Sequence, residues 1–412
     1  MQVSSQKKIK NTKKCRVCSK SISPFMTFGK MPIANAFLKK KEFKKEYFFH
    51  LSPCFCKSCY SFQLFTQPNP KKMFHKNYAF FSKTSNHMKR HFKDFYKWID
   101  RTYLLKREKP FVVEIGSNDG ILLENFAKKG IKHLGVEPSS NVANEALKNG
   151  VNTLVGFFGK SIIKKILNNY GKADIVVLAN VMCHIPKIND VAKSISEILN
   201  KNGYLIFEDP YLLDMLKKVS YDQIYDEHVF MFSAMSVKNI FEKYGLKLVD
   251  AIPQETHGGS MRYVLAKNLK ITESSRLKKV LQKEKKYNIH RSETYKKFKI
   301  NCEISKNNLL KKLNMLKKLN KKVIGYAATS KSTTILNYCN IDKNLINFIT
   351  DTTPIKQDTF SPGMHIPIKP YKDFSEINVD TAFLFAWNHK REIMKKEKKF
   401  LKKGGTFLTH LK

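Results

Sequence analysis

The run Phe111–Gly120, FVVEIGSNDG, constrains this chain more than any other stretch. A β-branched apolar strand leads into an acid, Glu114, and a glycine-rich turn, and a second strand in LGVEPS then ends in Glu137. In a doubly wound sheet that order receives an adenosine at the carboxyl ends of the strands. Gly116 and Gly120 follow G-x-x-x-G, not the G-x-G-x-x-G that brings backbone amides against a pyrophosphate, so S-adenosylmethionine is favoured over a dinucleotide. Glu137, 21 residues past Gly116, is spaced to accept from both ribose hydroxyls, with Glu114 and Asn118 completing this part of the cofactor set.

Two or three domains fit into 412 residues, and 42% apolar content is ample for real cores. The N-terminal MQVSSQKKIKNTKK carries charge with no apolar segment behind it, and no run of 18 apolar residues occurs. A soluble, cytoplasmic protein with no membrane partner is expected. The net charge of +42 invites a nucleic-acid reading, yet only eight of the 76 basic residues are arginine, the residue that grips phosphates bidentately. Scattered lysine argues against a specific nucleic-acid partner and favours an anionic small substrate such as a nucleotide diphosphate.

Cys15-x-x-Cys18 and Cys56-x-x-Cys59 form two knuckles with 37 residues between them. With no export signal, metal is favoured over disulfides, and four thiolates around one zinc make a closed, structural site. Cys54 and His50 are alternative ligands, but only Cys56 has knuckle spacing with Cys59. Cys183, Cys302 and Cys339 read as small isolated residues.

Three segments follow along the chain. Residues 10–75 hold the knuckles, punctuated by Pro24, Gly29 and Pro32. Residues 76–268 alternate strands (VVEIG, HLGVE, ADIVVLANV, GYLIFED, KLVDAI, MRYVLA) with helical patterns, implying an α/β sheet with a crossover at each step. Residues 269–412 open on a Lys-rich helical stretch with Leu309, Leu310, Leu313, Leu316 and Leu319 at helical spacing. Strand, small-residue turn and helix follow in VIGYAATSKSTTILNY, then FITDT, TAFLFAW and GGTFLTHL as strands. The expected fold class is α/β: a small zinc-knuckle domain, a Rossmann-like class I methyltransferase sheet, and a second Rossmann-like C-terminal domain.

In this order CRVC, PIANAF, CKSC with QLFTQ, NYAFFS, VEIGSNDG, GVEPS, NVMCHIPKINDV, FEDPYLLD, SYDQIYDEH, THGGSMR, GYAATSKSTTILNY and WNHKREI span nearly the whole chain. Together they resemble the three-domain nucleotide-sugar C-methyltransferases. The resemblance implies S-adenosylmethionine as methyl donor, a structural zinc and a nucleotide-diphosphate 4-keto-deoxysugar as acceptor. It leaves a monomer and a homodimer equally open.

Methylating carbon next to a ketone requires a base, an enolate stabiliser and a tight clamp. In SYDQIYDEHVF, a helix would put Tyr225 and His228 on one face and turn Glu227 away from Tyr225. Imidazole has the side-chain pKa nearest neutrality. By resemblance His228 is the base, supported by Tyr225 and Glu227. Asn180 and His184 follow the strand ADIVVLAN at its carboxyl end; by the same resemblance Asn180 faces the donor, while His184 and Tyr78 approach the sugar. His257, beside Gly258 and Gly259, is a candidate substrate contact. The amides of the helix start at ATSKSTT, the hydroxyls of Ser330, Ser332 and Thr333, and the Lys331 charge are expected to hold the nucleotide diphosphate. Relatives usually carry GYGA-x-AKG here, where this chain has Ala327 and Ser332 in place of glycine. They also usually read Y-H-E-H, where this chain has Asp226, a carboxylate expected to raise the pKa of His228.

A zinc-containing RNA or DNA methyltransferase is the alternative suggested by charge and knuckles. Such enzymes usually stack a flipped base on an aromatic, proline-rich motif, and here that place holds NVMCHIP. A catalytically silent binding protein is a further alternative, against which Tyr225, His228 and His184 all being present argues.

Overall fold

The computed structural model describes residues 13–73, 86–372, 374 and 378–411. Its centre is a seven-stranded sheet of β1 (Phe111–Ile115), β2 (Lys132–Glu137), β3 (Thr153–Val155), β4 (Ala173–Ala179), β5 (Leu199–Pro210), β6 (Lys247–Gln254) and β7 (Ser260–Ala266), in the order β6-β7-β5-β4-β1-β2-β3. Strand alternation sends Val113, Ile115, Val176 and Leu178 to one apolar core and Val112, Ile175 and Val177 to another on the opposite face. Helices cover both faces. In Ile188–Ile198, the buried Ile188, Val191, Ala192, Ile195 and Ile198 recur at three- and four-residue spacing, each large one contributing about 2 kcal/mol by leaving water. Phe92, Phe95 and Ile99 of the helix Asn86–Ile99 fill the other side.

The sheet is parallel except at its end, which corrects the expectation of a crossover at every step. β7 runs antiparallel to both β5 and β6, because the five residues between β6 and β7 are too few for a crossover. The short strand β3 carried too little apolar pattern to be anticipated.

A second sheet contains β8 (Val323–Tyr326), β9 (Ile349–Asp351), β10 (Thr359–Phe360), β11 (Pro367–Pro370), β12 (Thr381–Leu384) and β13 (Thr406–Leu408), ordered β10-β11-β9-β8-β12-β13. All its pairings are parallel except that of β10 with β11. The lysine-rich stretch before it folds as two helices, Ser275–Lys286 and Ser292–Lys318; Leu309 and Leu313 are buried, whereas Leu319 is exposed.

The knuckle region is not an appendage. Its strand Phe62–Leu64 pairs antiparallel with Phe230–Met231, which directly follows the SYDQIYDEH segment, and Leu64 N–H donates to the Val229 carbonyl. Cysteines of the knuckles, Phe207 of the central sheet and Ile349 of the second sheet belong to one continuous apolar cluster. Among the described residues, no helix is long and apolar enough to cross a membrane.

Candidate active site

The carboxyl ends of β1, β2 and β4 open into a cavity of about 360 Å³ that extends to the start of the helix Ser330–Cys339. At its β1 end, Gly116 turns with φ +71°, and a Cβ there would press into the Val181 side chain, 2.8 Å from Cγ1. Only glycine lets the two loops approach so closely. Glu137 is locked by two backbone amides, Asn118 N–H to Oε2 at 3.0 Å and Ser139 N–H to Oε1 at 2.8 Å. Burial first, then Asp119 and Glu137, pushes the Glu114 carboxyl well above its usual range. Glu114 Oε2 and Asn180 Oδ1 are buried on this wall with no hydrogen-bond partner among the described residues. Buried acceptors of this kind take donors from a ligand or from ordered water in the cavity.

Opposite stands the SYDQIYDEH segment. The segment is not the helix expected: a single 3₁₀ turn, Tyr221–Gln223, is followed by a tight turn closed by His228 N–H to the Tyr225 carbonyl at 3.0 Å. The turn still juxtaposes the two side chains. His228 Nδ1 lies 2.7 Å from the Gln223 carbonyl, which can only accept, so Nδ1 carries the proton and Nε2 is left as an acceptor. Nε2 lies 2.8 Å from the Tyr225 hydroxyl, which therefore donates to it. Glu227 also lines the cavity, where helical spacing would have turned it away, and accepts from Asn35 Nδ2 at 2.7 Å.

Burial, then the nearby His184, holds His228 well below the ordinary histidine pKa. The expected rise from Asp226 is absent for a geometric reason. Its carboxylate points away, accepts from Ala34 N–H at 2.9 Å, and is itself raised to about 8 by burial and Glu227. His184 stacks on His228 with ring centroids 5.4 Å apart, and burial lowers its pKa to about 4. His257, at φ +54° on the β6–β7 connection, reaches the same cavity and is lowered to about 3 by burial and Lys331.

The cavity thus gathers Glu114, Gly116, Asn118, Glu137, Asn180, His184, Tyr225, Glu227, His228, His257, Ser330 and Lys331. Three sequence candidates lie outside its wall. Gly120 is a packing glycine whose Cβ would meet Val151 at 2.9 Å. Ser332 and Thr333 are buried, and their hydroxyls are used internally, donating to the carbonyls of Thr329 (2.6 Å) and Ala34 (2.9 Å). Ser330 is engaged likewise, with Asn35 Oδ1 at 3.0 Å, so Lys331 is the member of the quartet with a charge to offer. Burial brings its pKa down to about 8, and its Nζ donates to Asn388 Oδ1 at 3.1 Å. At the two departures from the family's glycines, Ala327 holds φ +71° and the Ser332 Cβ is enclosed in the helix start. Tyr78 lies outside the described residues.

The four knuckle cysteines converge as expected. Their sulfurs all lie within 4.8 Å of one another, with Cys15–Cys59 at 3.6 Å and Cys18–Cys56 at 3.5 Å. Tetrahedral zinc–thiolate bonds of about 2.3 Å put sulfurs roughly 3.8 Å apart, so the donor set fits zinc. Gln63 Nε2 (3.0 Å) and Val17 N–H (3.4 Å) donate to Cys15 Sγ, orienting it. Cys54 and His50 lie outside this cluster; burial pushes the Cys54 thiol up to about 12.

Comparison with known proteins agrees with this anatomy. Family models match in series: a zinc binding domain over residues 15–74, a methyltransferase domain over 86–251, and a C-methyltransferase C-terminal domain over 255–411. C-methyltransferase NovU of Streptomyces niveus is 30% identical over 399 residues, 96% of this chain and 94% of that protein. The chain belongs to this C-methyltransferase family. It is an S-adenosylmethionine-dependent methyltransferase, and the buried acceptors of Glu114 and Asn180 beside the locked Glu137 fit that donor. The ubiquinone biosynthesis O-methyltransferase of Colwellia psychrerythraea is 26% identical over 34% of this chain and 62% of its own. Among solved structures, magnesium protoporphyrin IX methyltransferase from Synechocystis is similar over 43% of this chain and 78% of its own, at 14% identity and a TM-score of 0.33.

Residues of this C-methyltransferase that spacing did not single out also line the cavity: Phe92, Phe157, Phe158, Asn35, Asn388 and His389. Two signals were present, since Asn35 lies in PIANAF and the last two in WNHKREI. Neither stretch has a residue pattern that reads as chemistry by itself.

Proposed function

We propose that the enzyme transfers a methyl group to the carbon next to the 4-keto group, C3, of a nucleotide-activated deoxysugar, through an enolate. One observation carries this reading: a single cavity joins the Glu114–Glu137–Asn180 wall, the Tyr225–His228 pair with His184, and Lys331. S-adenosylmethionine held on that wall supplies an electrophilic methyl group.

His228 is the base. Its Nε2 lone pair faces the Tyr225 hydroxyl, so a proton leaving carbon is taken by the Tyr225 oxygen as that hydroxyl gives its own to Nε2. One C–H and one O–H bond break, one O–H and one N–H bond form, and the charge left on the enolate balances that on the imidazolium. Holding the imidazole neutral at rest keeps this acceptor free at neutral pH. In this reading His184, also neutral and stacked on His228, donates to the enolate oxygen, and Lys331 provides a cation for the diphosphate. The likeness to C-methyltransferase NovU suits methylation at carbon, and the excess of lysine suits an anionic substrate.

The test is a panel of 4-keto-6-deoxy nucleotide-sugars incubated in deuterated buffer with and without S-adenosylmethionine and read by mass spectrometry. Deuterium uptake that needs the enzyme, with one methylene mass gained when the donor is present, is expected. A His228→Asn protein that binds both ligands and methylates normally removes His228 as base.

A further inference from the structure

Trp387 sits where three parts of the molecule meet. Its indole N–H donates to Asp222 Oδ2 at 2.6 Å. The Lys331 ammonium stands 4.6 Å from its ring centre. On the remaining side lies Gly258 of the β6–β7 connection, φ +84°, where any Cβ would be driven into the ring. The tryptophan therefore touches the connection bearing His257, the helix start bearing Lys331 and the turn that precedes His228.

Asp222 is almost wholly buried, with a side-chain exposure of 1%. Its second oxygen, Oδ1, lies 3.2 Å from His410 Nε2, near the end of the chain, a close contact not aligned as a hydrogen bond. His410 is fixed in turn by Ser305 Oγ, which donates to its carbonyl at 2.9 Å. Among the described residues, the Asp222 carboxylate is thus held by groups from beyond position 300, although it belongs to the turn Tyr221–Gln223. The next residue in that turn, Gln223, supplies the carbonyl that keeps the His228 proton on Nδ1. A rotation of Gln223 that turned its carbonyl out of line with Nδ1 would weaken the bond that selects the tautomer, because hydrogen bonds weaken steeply once the angle falls below about 120°.

We propose that Asp222 is a positioning residue for His228 and that Trp387 and His410 hold it there, so that seating of the C-terminal region selects the His228 tautomer that presents Nε2 to Tyr225. The functional half of this inference rests on the reading of His228 as base; the structural half does not.

Three variants separate the contacts. Trp387→Phe keeps an aromatic ring near Lys331 and removes the N–H together with the outer indole carbons that face Gly258; Asp222→Asn keeps an acceptor for the indole; Asp222→Ala removes both oxygens. The first readout is the tautomer of His228, from ¹⁵N-histidine spectra of the full-length zinc-loaded protein, assigned by loss of the signal in His228→Asn. The proton is expected on Nδ1 in the parent and in Asp222→Asn, and shared between the two nitrogens in Trp387→Phe and Asp222→Ala. An unchanged Nδ1–H tautomer in those last two overturns the proposal whatever the catalytic role of His228.

The second readout is donor-independent exchange of the sugar proton for deuterium. Trp387→Phe should slow exchange and kcat together by 10- to 100-fold, with KM for both substrates within threefold of the parent. A rise in KM with kcat unchanged would make Trp387 a ligand contact and overturn the positioning role. Should His228→Asn exchange as fast as the parent, the base assignment fails, and the tautomer result still decides whether Asp222 positions the ring.

Discussion

Acidification should unfold this enzyme partly through His184, and the size of the effect follows from its environment. An unfolded chain presents histidine with a pKa near 6.5, and the folded site lowers His184 to about 4, through burial. The unfolded state then binds the proton first. Stability from the neutral ring is fully present above pH 6.5 and is lost as pH falls from there toward 4. Between pH 8 and pH 5 the loss is roughly 2 kcal/mol for a dry ring; because this one opens onto the cavity and its water, about 1–2 kcal/mol is expected. Urea unfolding of the parent and of His184→Asn at both pH values measures it. The knuckles' own sensitivity to acid is common to the two proteins and cancels. The variant should lose about 1–2 kcal/mol less than the parent on acidification. Parallel losses, or a larger loss in the variant, would refute the argument that burial holds this ring neutral.

Gly116→Ala places a Cβ on a left-handed residue and against Val181, at a cost of about 1 kcal/mol for the backbone and about 1–3 for the overlap. Titration calorimetry with S-adenosylhomocysteine should show at least tenfold weaker binding, recovered in part by adding Val181→Ala. Cys59→Ser should purify with less than one zinc per chain by elemental analysis. It should also lose methyl transfer, because the knuckle strand pairs with the residues after His228. A variant without zinc and with full activity would contradict this. Asn35→Ala strips partners from both Glu227 and Ser330, a loss of roughly 1–3 kcal/mol in thermal unfolding, with kcat reduced more than the affinity for S-adenosylhomocysteine.

Much of the cavity wall formed by Glu114, Gly116, Asn118 and Glu137 was legible in the sequence because its determinants are local. FVVEIGSNDG carries the apolar strand and the glycines for its own positive-φ turn, and a second strand ending in Glu137 follows within a short reach of it. Paired C-x-x-C knuckles are equally self-contained, since ligand spacing and loop geometry are set within a few residues. The order of motifs along the chain was enough to suggest the family.

The tertiary structure decided what depends on partners far away in sequence. Tyr225 and His228 meet across a turn, not along a helix, because the segment is pulled straight into a strand that pairs with Phe62–Leu64. Ser332 and Thr333 have the residue types of a phosphate site; the Ser332 hydroxyl is consumed locally by the Thr329 carbonyl, but that of Thr333 goes to Ala34, which only packing of the helix against the knuckle region brings to it. Asp226 is one peptide bond from Glu227, but the amide of Ala34 draws its carboxylate away from His228. The sequence by itself determined which chemical groups are present and which local turns they occupy. Their protonation states and their access to the cavity came from long-range burial and hydrogen bonding, since both depend on neighbours that only the folded chain brings together.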